Sequence, residues 1–147
     1  MSRKEFIRLM ESNIWLLDKY ADKLRLDQAQ VSGFPRQQMS ILVRLHRGGR
    51  ALLKDIARRE FVSAPNLCAV FRKLESDGLV LRVVDENDRR NTWYSVTERG
   101  AELAETAMET FRNGVEKMFA ALSKEQEAEL TAALKTMNKI IMNMEQN

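Results

Sequence analysis

Apolar side chains in the first 25 residues recur at alternating intervals of three and four positions. This spacing predicts a helix with one continuous apolar stripe, as in helices that pack lengthwise against a partner. A second row at Phe6, Leu9, Leu16 and Tyr20 makes the apolar face wider than a solitary surface helix needs. Ser2 and Glu5 have the spacing of a capping box, which predicts that the helix begins there. The stripe consists of Ile7, Met10, Ile14, Leu17, Ala21 and Leu24.

A similar pattern ends the chain. Thr97 followed by Glu98 predicts the start of a fifth helix, because a threonine cap and an early acid both suit a helix N-terminus. Ser123 with Gln126 predicts the start of a sixth. With the first helix, these two would form a helical dimerisation region of residues 1–30 and 101–147. We expect its contacts to come from Ile7, Met10, Ile14 and Leu17 and from Leu130, Leu134, Met137 and Ile141.

Three shorter helices are predicted in the middle of the chain. Pro35 opens the first, which ends at Gly48-Gly49, and the stretch LLKDIARREF forms the next. The third runs from a Ser63 cap to Gly78 and has two unlike faces. Its inner face consists of Leu67, Val70, Phe71 and Leu74. Its outer face is basic with a small centre and consists of Pro65, Asn66, Cys68, Ala69, Arg72 and Lys73.

A hairpin is predicted within LVLRVVDENDRRNTWYSVTERG, residues 79–100. Hairpin tips are usually made of small turn residues, yet residues 85–91 carry three acids and two adjacent arginines. These charges either keep the tip solvated or contact a ligand. Helices followed by an exposed-face helix and a hairpin predict a winged helix-turn-helix at residues 36–100. The fold class is therefore mainly α with a small β-hairpin wing, about six helices in a single chain of residues 1–147.

Composition narrows the classes of function. The chain has 147 residues, one cysteine and no apolar run long enough for a membrane span, and its start does not resemble a secretory signal. A single cysteine allows no internal disulfide, which fits a reducing cytoplasm. Residues 36–100 hold 13 Lys and Arg against 8 Asp and Glu, whereas the remainder holds 11 against 13. A basic middle favours an anionic partner, with nucleic acid as the leading candidate.

The stretch LLKDIARREFVSAPNLCAVFRKLESDGLVLRVVDENDRRNTWYSVTERG resembles the multiple antibiotic resistance regulator (MarR) family of bacterial transcription factors. The resemblance rests on a Leu-x-x-Ile-Ala helix, a Ser-x-Pro start and a Leu-Glu-x-x-Gly-Leu-Val exit. An Asp-x-x-Asp-x-Arg wing and a Thr-x-x-Gly restart complete it. It implies that Arg90 enters a minor groove, that Asp88 steadies Arg90, and that Arg89 lies near a phosphate. Asp85 and Glu86 would then face water.

The family often has Ser-Arg where this chain has Cys68-Ala69, so Asn66, Arg72 and Lys73 would carry more of the contact. The resemblance implies a homodimeric repressor in the bacterial cytoplasm, associated with the nucleoid. It would bind double-stranded DNA at an imperfect palindrome, and a small-molecule effector would relieve the repression. Candidate effector contacts are Trp15, Met39 and Phe111. Candidate DNA contacts are Ser63, Pro65, Asn66, Cys68, Ala69, Arg72, Lys73, Asp88, Arg89, Arg90, Lys54 and Arg36.

Other interpretations of these residues stay open at this point. The chain could be a winged-helix protein-interaction module that does not bind DNA, or a thiol-based redox regulator through Cys68. Cys68 is otherwise a small side chain at a surface contact, and Trp15 is either covered by a partner helix or lines a pocket. His46 has no partners at metal-ligand spacing. With one His, one Cys and no Gly-rich phosphate loop, we expect no enzyme, no cofactor and no metal site.

Overall fold

The fold is described from a computed structural model covering residues 2–60, 64–89 and 91–144. Ser63 and Arg90, two of the predicted DNA contacts, lie outside the described residues. The helices are α1 Arg3–Ser32, α2 Arg36–Gly48, α3 Leu53–Glu60, α4 Ala64–Ser76, α5 Glu98–Phe119 and α6 Lys124–Met144. The strands are β1 Ala51–Leu52, β2 Val80–Val84 and β3 Thr92–Val96. This mainly helical arrangement confirms the predicted fold class.

The predicted starts of α1 and α6 are confirmed by their capping bonds, whereas the predicted Ser63 cap lies outside the described residues. The backbone amide of Glu5 donates to the Ser2 hydroxyl over 3.2 Å, and the Ser2 amide donates to the Glu5 carboxylate. Ser123 and Gln126 make the same reciprocal pair at the start of α6. In each case a side chain satisfies an amide that the first helical turn leaves without a backbone partner.

The three strands form one antiparallel sheet in the order β1-β3-β2. β2 and β3 are the predicted hairpin, paired from Val80 with Val96 to Val84 with Thr92. β1 is a correction, because the helix predicted for LLKDIARREF included Leu52, which instead pairs with Trp93. A two-residue strand has no alternating pattern of its own, and only its pairing with a distant strand defines it.

The chain divides into two compact units, residues 1–113 and 114–147. The first contains a core in which α2, α4, the sheet and the start of α5 contribute side chains that are 0–5% exposed. Phe71 lies at its centre and its ring packs 4.0 Å from that of Tyr94. The core consists of Met39, Ile41, Leu42, Leu45, Leu67, Phe71, Leu74, Leu79, Val80, Tyr94, Ala104 and Ala107.

Seven of the eight predicted dimerisation residues are exposed, on helices of both units, and Met137 is half-buried. On α1, Ile7, Ile14 and Leu17 are each more than half exposed. On α6, Leu134 and Ile141 are 43% and 41% exposed, and no residue of this helix is classed as buried. Within the described part of the chain, no helix is long and apolar enough to cross a membrane.

Candidate nucleic-acid interface

Helix α4 has one buried and one open face. Leu67, Phe71 and Leu74 have no exposed surface, so the helix is anchored along its whole inner side. The opposite side chains Pro65, Asn66, Ala69, Arg72 and Lys73 are exposed, and Cys68 is half-buried between the two faces. The predicted division of this helix is therefore confirmed. The face it leaves open is about three turns long.

The two cations of this face have local partners. The Nζ of Lys73 lies 3.0 Å from a carboxylate oxygen of Asp77, one turn further along the chain. The Nε of Arg72 donates to the carbonyl of Cys68 over 3.4 Å. The Lys73 side chain is 60% exposed and that of Asp77 21%, so a phosphate contact by Lys73 would compete with this ion pair.

Helix α4 ends where β2 begins, through a turn that fixes the angle between them. Gly78 has a φ of 70°, a left-handed conformation that costs glycine nothing. The amide of Leu79 donates to the carbonyl of Leu74, and that of Gly78 to the carbonyl of Glu75. These two bonds form a Schellman motif, which ends a helix and reverses the chain. The wing is therefore attached to α4 by a defined turn.

The wing tip is organised by Asp85. Its carboxylate accepts hydrogen bonds from the backbone amides of Asn87 and Asp88, over 2.9 and 3.3 Å. It also accepts one from the indole Nε1 of Trp93, over 3.1 Å. These three hydrogen bonds hold the pKa of Asp85 below its usual value of 3.8. The bond from Trp93 has the largest effect, and those from the amides of Asn87 and Asp88 come next. Asp85 is therefore held by three hydrogen bonds while it keeps part of its surface exposed, and Glu86 is exposed, as expected.

Asp88 and Asn91 close the tip. The Asn91 amide donates to the Asp88 carbonyl over 2.8 Å, and its side-chain amide reaches the Asp88 carboxylate at 3.3 Å. Arg89 is exposed beside them. The predicted support of Arg90 by Asp88 stays a prediction, since Arg90 lies outside the described residues.

Two cationic side chains from elements outside the wing also contact it. The Nζ of Lys54, on α3, donates to the side-chain oxygen of Asn91 over 3.0 Å. The guanidinium of Arg50, just before β1, lies 4.4 Å from the centroid of the Trp93 ring. Lys54 was among the predicted site residues, whereas Arg50, Trp93 and Asp85 were not. The strand pairing that brings Arg50 beside Trp93 has no signature in the local sequence.

The other predicted positions lie apart from this surface. Arg36, at the start of α2, makes a 2.6 Å ion pair with Asp22 of α1, which links the two helices. Met39 is 3% exposed in the core, Trp15 is 70% exposed on α1, and Phe111 is half-buried on α5. Their roles toward DNA or an effector stay predictions.

His46 and Cys68 are the candidate metal-binding and redox-active side chains of the sequence. The Nε2 of His46 lies 3.4 Å from a carboxylate oxygen of Glu105 on α5, which gives this histidine a partner in the fold. Among the residues that the structure describes, no three His, Cys, Asp or Glu side chains are grouped as metal ligands. Cys68 lies on α4 at the edge of its exposed face.

The anchored α4, its exposed basic face and the antiparallel wing define a winged helix-turn-helix. A family model described as the MarR family matches residues 34–92, from the start of α2 to the start of β3. Over these residues, which include the candidate interface, the chain is similar to the MarR family.

Known proteins similar to this chain include regulators and a repressor. YwhA of Bacillus subtilis, an uncharacterized HTH-type transcriptional regulator, is 28% identical over 80% of this chain and 86% of that protein. The homoprotocatechuate degradative operon repressor of Escherichia coli is 35% identical over 49% of this chain and 51% of its own length. The crystal structure of apo MarR from E. coli superposes with a TM-score of 0.78, covering 86% of this chain and 94% of that one. At 18% identity, this last similarity shows the fold.

Proposed function

We propose that the chain is a homodimeric repressor that binds double-stranded DNA at an imperfect palindrome. Each protomer would place α4 in a major groove and residues 85–91 of the wing at the adjacent minor groove. The observation that carries the proposal is the two-faced α4. Its inner side is fully buried at Leu67, Phe71 and Leu74, and its outer side is open and basic. A firmly anchored helix with an open polar face is what insertion into a major groove needs.

The exposed cations set how strongly salt should weaken binding. Lys54, Lys73 and Arg89 are the candidate phosphate contacts on each protomer. Six such contacts in a dimer predict a log–log salt slope of about −5, at roughly −0.9 per phosphate. Arg36 would add to this slope only by leaving Asp22.

The small centre of the face bears on specificity. Because Cys68 and Ala69 are too short to make many base contacts, the phosphate contribution to binding should be large. Specificity over random DNA should then be modest, nearer about 10³ than 10⁷.

Dimerisation would cover the exposed rows on α1 and α6. Ile14 alone is 59% exposed and Leu17 54%, and large exposed apolar patches usually mark an interface. We expect a dimer that buries more than about 2,000 Å² in total. Two α4 helices related by the dimer axis would then meet half-sites one helical turn apart.

Relief by a small molecule would require an effector that binds better to a DNA-incompetent arrangement of the dimer. Trp15, Met39 and Phe111 are the candidate contacts. Such an effector would act in the bacterial cytoplasm, where the DNA lies in the nucleoid.

The proposal is tested by enriching duplexes from a random-sequence library and measuring binding by fluorescence anisotropy across a salt series. Lys73→Gln should weaken binding to the enriched site and make the salt slope shallower by about 1.8 in the dimer, one phosphate contact per protomer. The control is Lys19→Gln, which removes the same charge from an exposed position on α1 and should change neither quantity. Equal affinities for Lys73→Gln and the parent would contradict the placement of α4 on DNA.

A winged-helix protein-interaction module is the second candidate. It is favoured by Ala69, which stands where an arginine is frequent, and by Leu81 and Val83, which are 55% and 50% exposed on β2. This candidate predicts that the library yields no enriched duplex. It also predicts a slope shallower than about −2 on any duplex.

A further inference from the structure

Arg50, Trp93 and Asp85 form a chain of contacts that ends at the wing tip, and we call these three residues the wing clamp. Arg50 lies over the Trp93 ring at 4.4 Å from its centroid. The Trp93 indole N–H reaches the Asp85 carboxylate at 3.1 Å. The same carboxylate holds the backbone amides of Asn87 and Asp88. A cation outside the hairpin is thus connected to the turn in two steps.

We propose that Arg50 is a positioning residue for DNA binding, which fixes the wing tip through Trp93 and Asp85 rather than by contacting DNA. This inference rests on the proposed function, because it concerns how the wing of that DNA-binding surface is held. Arg50 lies outside both α4 and the wing.

The geometry of the sheet explains why Arg50 can act on Trp93. β1 pairs with β3 so that Leu52 lies opposite Trp93, and Arg50 is two residues before Leu52. Leu52 and Trp93 lie on the same face of the sheet, and Arg50, just before the strand, extends its guanidinium over the Trp93 ring. Gly49 has a φ of 74° and lets the chain turn out of α2 into this position.

The physical chemistry explains why the contact would matter. The indole can donate to Asp85 only in one orientation of its ring, and a guanidinium stacked on the ring favours a single orientation. The positive charge of Arg50 also favours the ionised Asp85, the form that accepts all three hydrogen bonds. Without Arg50 the ring would sample other orientations, and the turn would lose one of its three donors for part of the time.

A direct phosphate contact by Arg50 is the competing explanation, since its side chain is exposed. The two explanations differ in whether Arg50 needs the indole N–H. Trp93→Phe keeps an aromatic ring but removes the hydrogen-bond donor to Asp85, so Arg50 is no longer connected to the turn. A positioning residue loses its effect in that variant, whereas a phosphate contact keeps it.

The experiment is a double-mutant cycle on Arg50→Ala and Trp93→Phe, measured as affinity for the enriched duplex. Arg50→Ala should weaken binding by about three- to fivefold per wing, the scale of an exposed cation–π contact. In Trp93→Phe, the same substitution should weaken it less than about 1.5-fold and leave the salt slope unchanged. Arg47→Ala, which removes an exposed arginine three residues earlier, is the charge control and should leave both quantities unchanged.

A second measurement uses the DNA-free protein. The indole N–H resonance of Trp93, assigned with a Trp15→Phe variant, should shift and broaden in Arg50→Ala and be largely restored in Arg50→Lys. Unchanged affinity in Arg50→Ala would overturn the proposal, as would an equal loss with and without the indole donor. An unmoved indole resonance would also overturn it. If the parent protein bound no duplex, the proposed function would fail and with it the role of Arg50 on DNA, and the resonance would still decide whether the clamp exists.

Discussion

Gly100, in the first turn of α5, lies against the backbone of Leu79. A Cβ built at Gly100 would overlap the carbonyl oxygen of Leu79 and come within 3.0 Å of its carbonyl carbon. These are backbone atoms held in the turn between α4 and β2, so no side-chain rotation relieves the overlap. Gly100→Ala should therefore force the start of α5 away from that turn.

The size of the effect follows from two opposed terms. Replacing a helical glycine with alanine ordinarily stabilises a protein by about 1 kcal/mol. Overpacking costs about 1–3 kcal/mol, and more where backbone has to move. Because backbone has to move here, the overpacking cost should exceed about 3 kcal/mol. We therefore expect Gly100→Ala to lower the free energy of unfolding by about 2–3 kcal/mol in urea denaturation at fixed protein concentration.

Gly48→Ala is the matched control. Gly48 ends α2, and a Cβ there would meet no atom within 4 Å. The same substitution should leave stability unchanged or raise it by up to about 1 kcal/mol. Equal stability of the two variants would contradict this prediction, because the close approach of Gly100 to Leu79 is what distinguishes the two positions.

Three further predictions concern the dimer and two titrating side chains. Ile14→Asp should shift the protein to monomers in sedimentation experiments, whereas Glu11→Ala, on the polar side of α1, should not; monomeric parent protein at micromolar concentration would contradict the proposed dimer. Burial raises the pKa of Tyr94 above 10.0, so the contribution of neutral Tyr94 to the free energy of unfolding should be fully present below pH 10 and be lost as pH rises further. Absorbance at 295 nm in a Tyr20→Phe variant would follow this titration. The pKa of Asp85 is lowered from 3.8, so the wing turn should persist above that value and loosen only as pH falls below it, and a Trp93 indole resonance that moved near neutral pH would argue against this.

Most of the helices could be predicted from the sequence because their determinants are local. Ser2 with Glu5 and Ser123 with Gln126 lie three positions apart, and the capping bonds formed as predicted. The two faces of α4 follow from a periodicity of 3.6 residues and needed no knowledge of the partner elements.

The contacts that hold the wing could not be predicted, because they join residues far apart in the chain. Lys54 and Asn91 are 37 positions apart, and Arg50 reaches Trp93 only through the pairing of a two-residue strand. In the sequence, Asp85 is one of several acids in a polar loop. Nothing in the neighbouring sequence indicates that its carboxylate accepts a hydrogen bond from the Trp93 indole. Contacts of this kind depend on strand register, which a local pattern does not specify.

The start of α5 is joined directly to the end of α4, which bears on how an effector could act. The Thr97 hydroxyl donates to the carbonyl of Gly78 over 2.8 Å and accepts from the amide of Gly100 over 3.0 Å. The guanidinium of Arg99 donates to the carbonyl of Asp77 over 3.0 Å. These bonds connect the first turn of α5 to the turn that ends α4. A ligand that displaced the start of α5 would therefore move α4 and the wing together, because both leave from the turn that Thr97 and Arg99 hold.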